Sequence, residues 1–160
     1  KGYNYLNNQM QNIPPLLLAG GIHDKRYFEK IKNYIANNKL TKKVKILGLV
    51  EHSKLIELYS NAFAFIFPST LEACPHTLIE VMACQVPMAV SNFDPMPEIC
   101  NDAAIYFNPF KKEEIALSIQ QLLLDNKLRT QLSKASLRRV RFFNWNKSAE
   151  ELVKILEKVV

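Results

Sequence analysis

Glycine is scarce in this sequence, at 4 of 160 residues, and it contains neither a Gly-x-Gly-x-x-Gly fingerprint nor a P-loop. This argues against a dinucleotide-dependent oxidoreductase and against an NTPase, because both hold phosphates in glycine-rich loops. Cysteine is also scarce. Cys74, Cys84 and Cys100 form no Cys-x-x-Cys pair and leave an odd count, so neither a disulfide framework nor a zinc site is predicted.

Metal-binding and membrane-spanning patterns are missing as well. His23, His52 and His76 lie far apart, and no Asp-x-Asp pair occurs, so we expect no metal site. No apolar run approaches the roughly 18 to 20 residues that cross a bilayer. The first residues do not resemble a signal peptide. A protein of the reducing cytoplasm is therefore expected.

The charge is unbalanced but scattered. A net charge of +6, with 48% hydrophobic and 22% charged residues, fits one globular domain. The excess of positive charge could favour nucleic acid, an anionic membrane surface or a phosphorylated ligand. The densest basic group is Arg138, Arg139 and Arg141. Three aromatic residues follow it: Phe142, Phe143 and Trp145. Since no nucleic-acid motif accompanies it, we interpret this group as a solvated helix end followed by core aromatics.

Short apolar runs alternate with helical patterns along the chain. Strands are predicted over residues 13–19, 44–47, 64–67, 88–91 and 104–107. Helices are predicted over residues 1–11, 27–38, 112–125, 127–141 and 146–160, with a helical turn at 97–100. A further helix, capped by Ser53, would carry Leu55, Ile56 and Leu58. This alternation predicts an α/β domain with a Rossmann-like, doubly wound parallel sheet and flanking helices.

The chain is organised around residues 67–87. The apolar run ends at Pro68, and two carboxylates, Glu72 and Glu80, follow eight positions apart. Leu78, Ile79, Met82 and Ala83, on either side of Glu80, fall at helical spacing. In a strand, loop and helix unit, the unpaired N–H groups of the helix face the carboxyl end of the strand. We therefore expect a phosphate at this place.

The same residues resemble the donor-site signature of the retaining GT-B glycosyltransferases, of the group 1 or family 4 type. The resemblance is carried by these residues: Pro68-Ser69, Glu72 and Glu80, Met82-Ala83-Cys84, Pro87 and Glu98. It covers essentially all of residues 1–160 and implies the nucleotide-sugar (donor) binding domain, the C-terminal half of a GT-B fold. It also implies a sixth, central strand and an N-terminal acceptor domain upstream of this chain.

The resemblance implies a role for each of several residues. Glu72 would face the donor sugar as the candidate catalytic residue, with its chemical role left open, and Glu80 would bind the ribose hydroxyls. The segment between them would contact the sugar at its start and the diphosphate at its end. Its residues are Ala73, Cys74, Pro75, His76, Thr77 and Leu78. Lys1, with Gly2, would neutralise the leaving diphosphate, and Val50, after Gly48-Leu49, would contact the base.

Other interpretations of these residues stay open. Thr77-x-x-Glu80 fits a capping box, in which both side chains only stabilise the helix start. His76 could bind a phosphate or face solvent. Gln85 stands where the family has a glycine in a left-handed position, which costs another residue roughly 1 to 2 kcal/mol, so the helix could end differently here. Ala73 likewise replaces a glycine beside the sugar.

We therefore predict a retaining, metal-independent glycosyltransferase that needs no cofactor. It would move a sugar from a UDP- or GDP-sugar to a glycan or lipid-linked acceptor in bacterial polysaccharide or lipopolysaccharide biosynthesis. Peripheral association with the inner face of the membrane is an option, and nucleic acid is not an expected partner. One alternative is a non-catalytic nucleotide-sugar-binding subunit that works with a partner chain. A weaker one is an epimerase, whose acid and base residues are not found.

Overall fold

The computed structural model describes residues 1–159. The strands are β1 (Leu16–Ala19), β2 (Val44–Gly48), β3 (Phe65–Phe67), β4 (Met88–Ser91) and β5 (Ala104–Phe107). The helices are α1 (Gly2–Asn7), α2 (Lys25–Asn37), α3 (His52–Ser60), α4 (His76–Ala83), α5 (Met96–Cys100), α6 (Lys112–Leu124), α7 (Asn126–Val140) and α8 (Trp145–Leu156). A 3₁₀ turn, Asn101–Ala103, follows α5.

The strands in the described part of the chain pair in parallel and form two sheets. β1 pairs with β2, while β3, β4 and β5 form the second sheet in that order. The doubly wound fold has the strand order 3-2-1-4-5-6. The two sheets match this order if one further strand, strand 1 of the general fold, lies between β1 and β3. The predicted Rossmann-like α/β class is confirmed. The sixth strand that the resemblance implies stays a prediction.

Most predicted boundaries agree with the structure to within two residues. β1 begins at Leu16 rather than at residue 13, because Pro14 and Pro15 have no N–H group for a neighbouring strand. α1 ends at Asn7, before the predicted residue 11. The last helix ends at Leu156, and residue 160, its predicted end, lies outside the described residues.

The helix caps differ from the prediction. Ser53 lies inside α3, which follows Glu51, and none of residues 1–159 caps this helix with a side chain. The predicted Ser53 cap is therefore wrong. Three other helices, α2, α7 and α8, do begin with short polar side chains that accept backbone N–H groups, the usual reason for a helix to start at such a residue. These caps are Asp24, Asp125 and Asn144.

The three-stranded sheet has a core on both of its faces. β4 is buried along its whole length. Its Met88 and Val90 pack in one cluster with the buried face of α4, formed by Leu78, Val81 and Met82. Because α4 returns antiparallel to the strands, this packing holds its amino end beside their carboxyl ends.

Helix α6 connects the two sheets. Its Leu122 packs with Phe107 of β5 on the other face of the three-stranded sheet. Its Ala116 packs with Leu6 of α1, in a cluster that includes Val44 of β2. The two sheets share no strand hydrogen bonds within residues 1–159, and both pack against α6.

Helix α8 lies on the outside. None of its side chains is buried in the part that the structure describes, and Leu152 and Leu156 are 57% and 55% exposed. Neither this helix nor any other within residues 1–159 is long and apolar enough to cross a membrane.

The close approach of α1 and α6 requires a glycine at position 2. A Cβ added to Gly2 would lie 2.6 Å from Cβ of Ile115 and 3.3 Å from the Lys112 carbonyl oxygen. We expect Gly2→Ala to lower the free energy of unfolding by about 1 to 3 kcal/mol, because neither atom can move freely. Chemical denaturation measures the free energy of unfolding. The control is Gly21→Ala, whose new Cβ would contact only His23, at 3.4 Å. Equal effects of both changes would contradict this explanation.

The residue after α4 keeps the left-handed conformation despite its side chain. Gln85 has φ 58°, so the expectation that α4 would end differently without glycine is wrong. We predict that Gln85→Gly raises the free energy of unfolding by about 1 kcal/mol, because glycine has no Cβ to clash there. Lys134→Gly, in the interior of α7, is the control and should lower it by about 1 kcal/mol. A loss of stability at both positions would contradict the prediction.

Candidate functional site

The loop of residues 68–75, here called the carboxylate loop, runs from β3 to α4. Within it, the Ser69 hydroxyl donates to Oε1 of Glu72 at 2.7 Å. The other oxygen of Glu72 has no hydrogen-bond partner among residues 1–159. Glu72 is half-buried. Its carboxylate is thus fixed by one oxygen and open at the other, at the edge where the strands end.

Backbone N–H groups are available beside this carboxylate. The Leu78 amide donates to the Pro75 carbonyl oxygen at 2.9 Å, and the His76 amide donates to the Cys74 carbonyl oxygen at 2.9 Å. The amides of Ala73, Cys74 and Thr77 donate to no acceptor within the described residues. Free N–H groups and the positive end of a helix dipole together bind anions. The start of α4 can therefore hold a phosphate group.

Glu80 reaches sideways from α4 to α3. Its Oε1 lies 3.2 Å from Nε2 of His52, and among residues 1–159 its Oε2 has no partner. Tyr59 of α3 is buried close by, and its pKa is raised by that burial and by the negative charge of Glu80. Glu80 is thus a half-exposed carboxylate with one oxygen held.

The capping box is wrong. α4 starts at His76 after Pro75, so Thr77 lies inside the first turn and no side chain of the described residues caps it. Glu80, the fifth residue of α4, is directed to His52 and does not return to the helix start. Neither side chain accepts a hydrogen bond from an amide at the start of the helix, so Thr77 and Glu80 do not act as helix caps.

Two further predicted residues, Val50 and Lys1, lie outside the loop and helix that carry Glu72 and Glu80. Val50 is half-buried in the loop after β2, two positions before His52. The contact between His52 and Glu80 therefore brings the predicted base loop to the predicted ribose carboxylate. Lys1 precedes α1 and is exposed. Its side chain makes no hydrogen bond or ion pair with any of residues 1–159, so the structure does not join it to the two glutamates.

Aromatic residues near the C-terminal end differ from the prediction. Phe143 packs on the core, but Phe142 and Trp145 are 69% and 80% exposed. Trp145 instead stacks on the exposed His76, with ring centroids 6.1 Å apart and planes 22° apart. The interpretation as core aromatics is confirmed for Phe143 and wrong for Phe142 and Trp145. Trp145 is exposed because Asn144 starts a new helix on the surface. Trp145 thus lies against the first residue of α4.

Arg139 explains much of the basic group. Its guanidinium lies over Phe142 and Phe143, at 5.2 and 5.3 Å from the ring centroids. It also donates to the carbonyl oxygens of Glu98 and Ile99. The charge of Arg139 therefore interacts with aromatic rings and backbone carbonyl groups of the fold. The basic group is therefore partly structural and not wholly solvated.

Within residues 1–159, no group of three or more histidine, cysteine, aspartate or glutamate side chains is placed to hold a metal ion. A separate apolar groove lies at the carboxyl end of β1, lined by Leu18, Ile22, Tyr27 and Phe28 among others. None of the predicted site residues lines this groove in the described chain.

Sequence reasoning missed three residues that contact the predicted site: His52, Ser69 and Trp145. Ser69 stands in the recognised motif, and its spacing to Glu72 could have suggested the hydrogen bond. His52 and Trp145 lie 28 and 69 positions from their partners in the sequence. No local pattern could have indicated those two contacts.

The fold is a doubly wound α/β domain, a class in which ligands bind at the carboxyl ends of the strands. The chain itself belongs to the family Glycosyl transferases group 1, which matches residues 2–139. Among curated relatives, O-antigen chain mannosyltransferase B of Escherichia coli is 29% identical over 110 residues, which are 69% of this chain and 29% of the relative.

Solved structures agree on the fold. Sucrose-phosphate synthase from Thermosynechococcus elongatus matches with a TM-score of 0.85 at 24% identity, over 99% of this chain and 41% of that one. Anabaena Alr3699/HepE in complex with UDP-glucose matches with a TM-score of 0.86 at 18% identity, over 98% and 44%. The resemblance to GT-B glycosyltransferases is confirmed. The chain spans less than half the length of each of these proteins.

The three thiols differ in access. Cys74 is exposed in the carboxylate loop, Cys84 is half-buried, and burial raises the pKa of Cys100 to about 12. We predict that iodoacetamide at pH 8 labels Cys74 first and Cys100 last, because only an accessible thiolate reacts. Peptide mapping by mass spectrometry follows the order, and in denaturant the three rates should become similar. Labelling of Cys100 as fast as Cys74 in the native protein would contradict the described burial.

Proposed function

We propose that this chain is the donor-binding domain of a retaining, metal-independent glycosyltransferase that uses a nucleotide-diphosphate sugar. One observation carries the proposal. Glu72 and Glu80 flank the free amides at the start of α4, and each carboxylate has one oxygen held and one oxygen available. This arrangement offers acceptors for hydroxyl groups on both sides of an anion site.

The donor would lie along the carboxyl edge of the sheet. The free amides of Ala73, Cys74 and Thr77 would hold the diphosphate without a metal ion, because helix-end N–H groups stabilise phosphate charge. The open oxygen of Glu80 would accept the ribose hydroxyls, and Val50 would contact the base. Lys1 would add a positive charge to the leaving diphosphate.

Glu72 would act on the sugar. Breaking the bond to the diphosphate leaves positive charge on the anomeric carbon, and a carboxylate nearby stabilises that charge more in the transition state than in the ground state. Ser69 holds Oε1 of Glu72, so its other oxygen can stay directed at the sugar. The diphosphate would take the electron pair of the broken bond, and the amides of α4 would stabilise its charge. The acceptor hydroxyl would form the new bond to the anomeric carbon and pass its proton to the leaving diphosphate.

The acceptor would be a glycan or a lipid-linked glycan in bacterial polysaccharide biosynthesis. The Escherichia coli relative, an O-antigen chain mannosyltransferase, supports this setting and makes mannose a candidate sugar. The UDP-glucose bound by the Anabaena protein supports a nucleotide-diphosphate donor. A separate acceptor domain would complete the site, and the exposed apolar side chains of α8 are available to contact it. The reaction would take place in the cytoplasm, at or near the inner face of the membrane.

We predict different effects for the two glutamates in the full-length protein. Glu80→Gln should weaken binding of a nucleoside diphosphate about tenfold to a hundredfold, because hydrogen bonds to a charged acceptor are stronger than those to an amide. Glu72→Gln should leave that binding unchanged and lower sugar transfer. Isothermal titration with UDP and GDP, in EDTA, measures binding, and product formation from UDP- and GDP-hexoses measures transfer.

The control is Glu113→Gln, an exposed carboxylate on α6 that faces Lys112. It should change neither measurement. If neither nucleotide binds to the folded protein, or if Glu80→Gln binds as tightly as the unchanged protein, the proposed donor site is wrong. A strict need for a divalent ion in binding would contradict the metal-independent part alone.

A further inference from the structure

His52 donates to a carboxylate that the proposed function places on the ribose. An ionised carboxylate only accepts hydrogen bonds, so in this contact Nε2 of His52 carries the proton. The His52 side chain is 71% exposed and that of Glu80 is 34% exposed. The contact is therefore at the surface of the site, where a nucleotide can reach it, and it is not a buried element of the core.

The contact also joins two separate parts of the site. His52 is the first residue of α3 and follows the loop that contains Val50. Glu80 lies in α4, after the carboxylate loop. These loops leave strands of different sheets, β2 and β3, and the two sheets share no strand hydrogen bonds within the described residues. A hydrogen bond between His52 and Glu80 thus fixes the ribose carboxylate relative to the base loop.

Glu80 has few other means of orientation. A glutamate side chain has three rotatable bonds, and the contact with His52 is its single hydrogen bond among residues 1–159. Tyr59 is near enough for the charge of Glu80 to contribute to its raised pKa, after burial. Its ring packs edge-on against Phe65, with ring centroids 5.8 Å apart, and Tyr59 forms no hydrogen bond with Glu80. The direction of the free Oε2 is therefore set by His52.

We propose that His52 is a positioning residue for nucleotide recognition, which holds Oε1 of Glu80 so that Oε2 accepts the ribose hydroxyls. The inference rests on the proposed function, since it assigns a ribose to Glu80. Its consequence is specific. Loss of His52 weakens binding through the ribose alone, while the contacts to the base and the diphosphate are unaffected.

The experiment compares two forms of one nucleotide on the full-length protein. UDP or GDP, whichever binds, is titrated beside its 2′,3′-dideoxy form. His52→Ala should weaken binding of the ribonucleotide about threefold to tenfold and leave binding of the dideoxy form unchanged. His52→Gln, whose amide N–H can still donate, should recover most of the loss. In the double variant with Glu80→Gln, removal of His52 should have no further effect.

Lys54→Ala is the matched control, because Lys54 lies in the same turn of α3 and pairs with Glu51 instead. It should bind both nucleotide forms as the unchanged protein does. If His52→Ala does not fold, His52→Phe keeps a ring without a donor and answers the same question. Circular dichroism checks the folding of each variant.

Three outcomes would overturn the inference. Equal weakening of both nucleotide forms by His52→Ala would show that the contact does not act through the ribose. No weakening, with Glu80→Gln still defective, would refute the role of His52 and leave the donor site intact. If Glu80→Gln also binds normally, the ribose assignment fails, and the proposed function fails with it.

Discussion

The burial of one face of α4 is the constraint on which the site depends. Leu78, Val81 and Met82 are each 0% exposed, at the spacing of one helical face. They pack against β4 and leave the helix no freedom to turn or slide. The start of α4, with its free amides, is therefore fixed beside the carboxyl end of β3. Glu80 lies on the same helix, so the same packing fixes its position relative to that edge.

Both carboxylates are held in the same manner. A hydroxyl from Ser69 takes one oxygen of Glu72, and a ring N–H from His52 takes one oxygen of Glu80. Each neighbour leaves the second oxygen of its carboxylate available to a ligand. The free amides of Ala73, Cys74 and Thr77 lie between the two carboxylates in the sequence.

The two sheets make the arrangement depend on long-range packing. The loop with Val50 follows β2 and the carboxylate loop follows β3, and these strands belong to different sheets. In the described chain they are joined by α1 on α6, by α6 on the three-stranded sheet, and by α3, whose Tyr59 packs with α4 and whose His52 contacts Glu80. The close contact at Gly2 thus contributes to the relative position of the two sheets, although it lies in a helix remote from the carboxylates in sequence.

The sequence alone determined the α/β alternation, most element boundaries and the identity of the central loop, because periodicity, proline and motif spacing are local properties. It could not determine the partners of Glu80. Thr77-x-x-Glu80 fits a capping box locally, yet the folded chain gives Glu80 to His52 and lets Trp145, expected in the core, stack on His76. The left-handed Gln85 is decided in the same way. Tertiary packing decided these features, since the burial of α4 against β4 outweighs the small local preferences of a cap, a rotamer or a single φ angle.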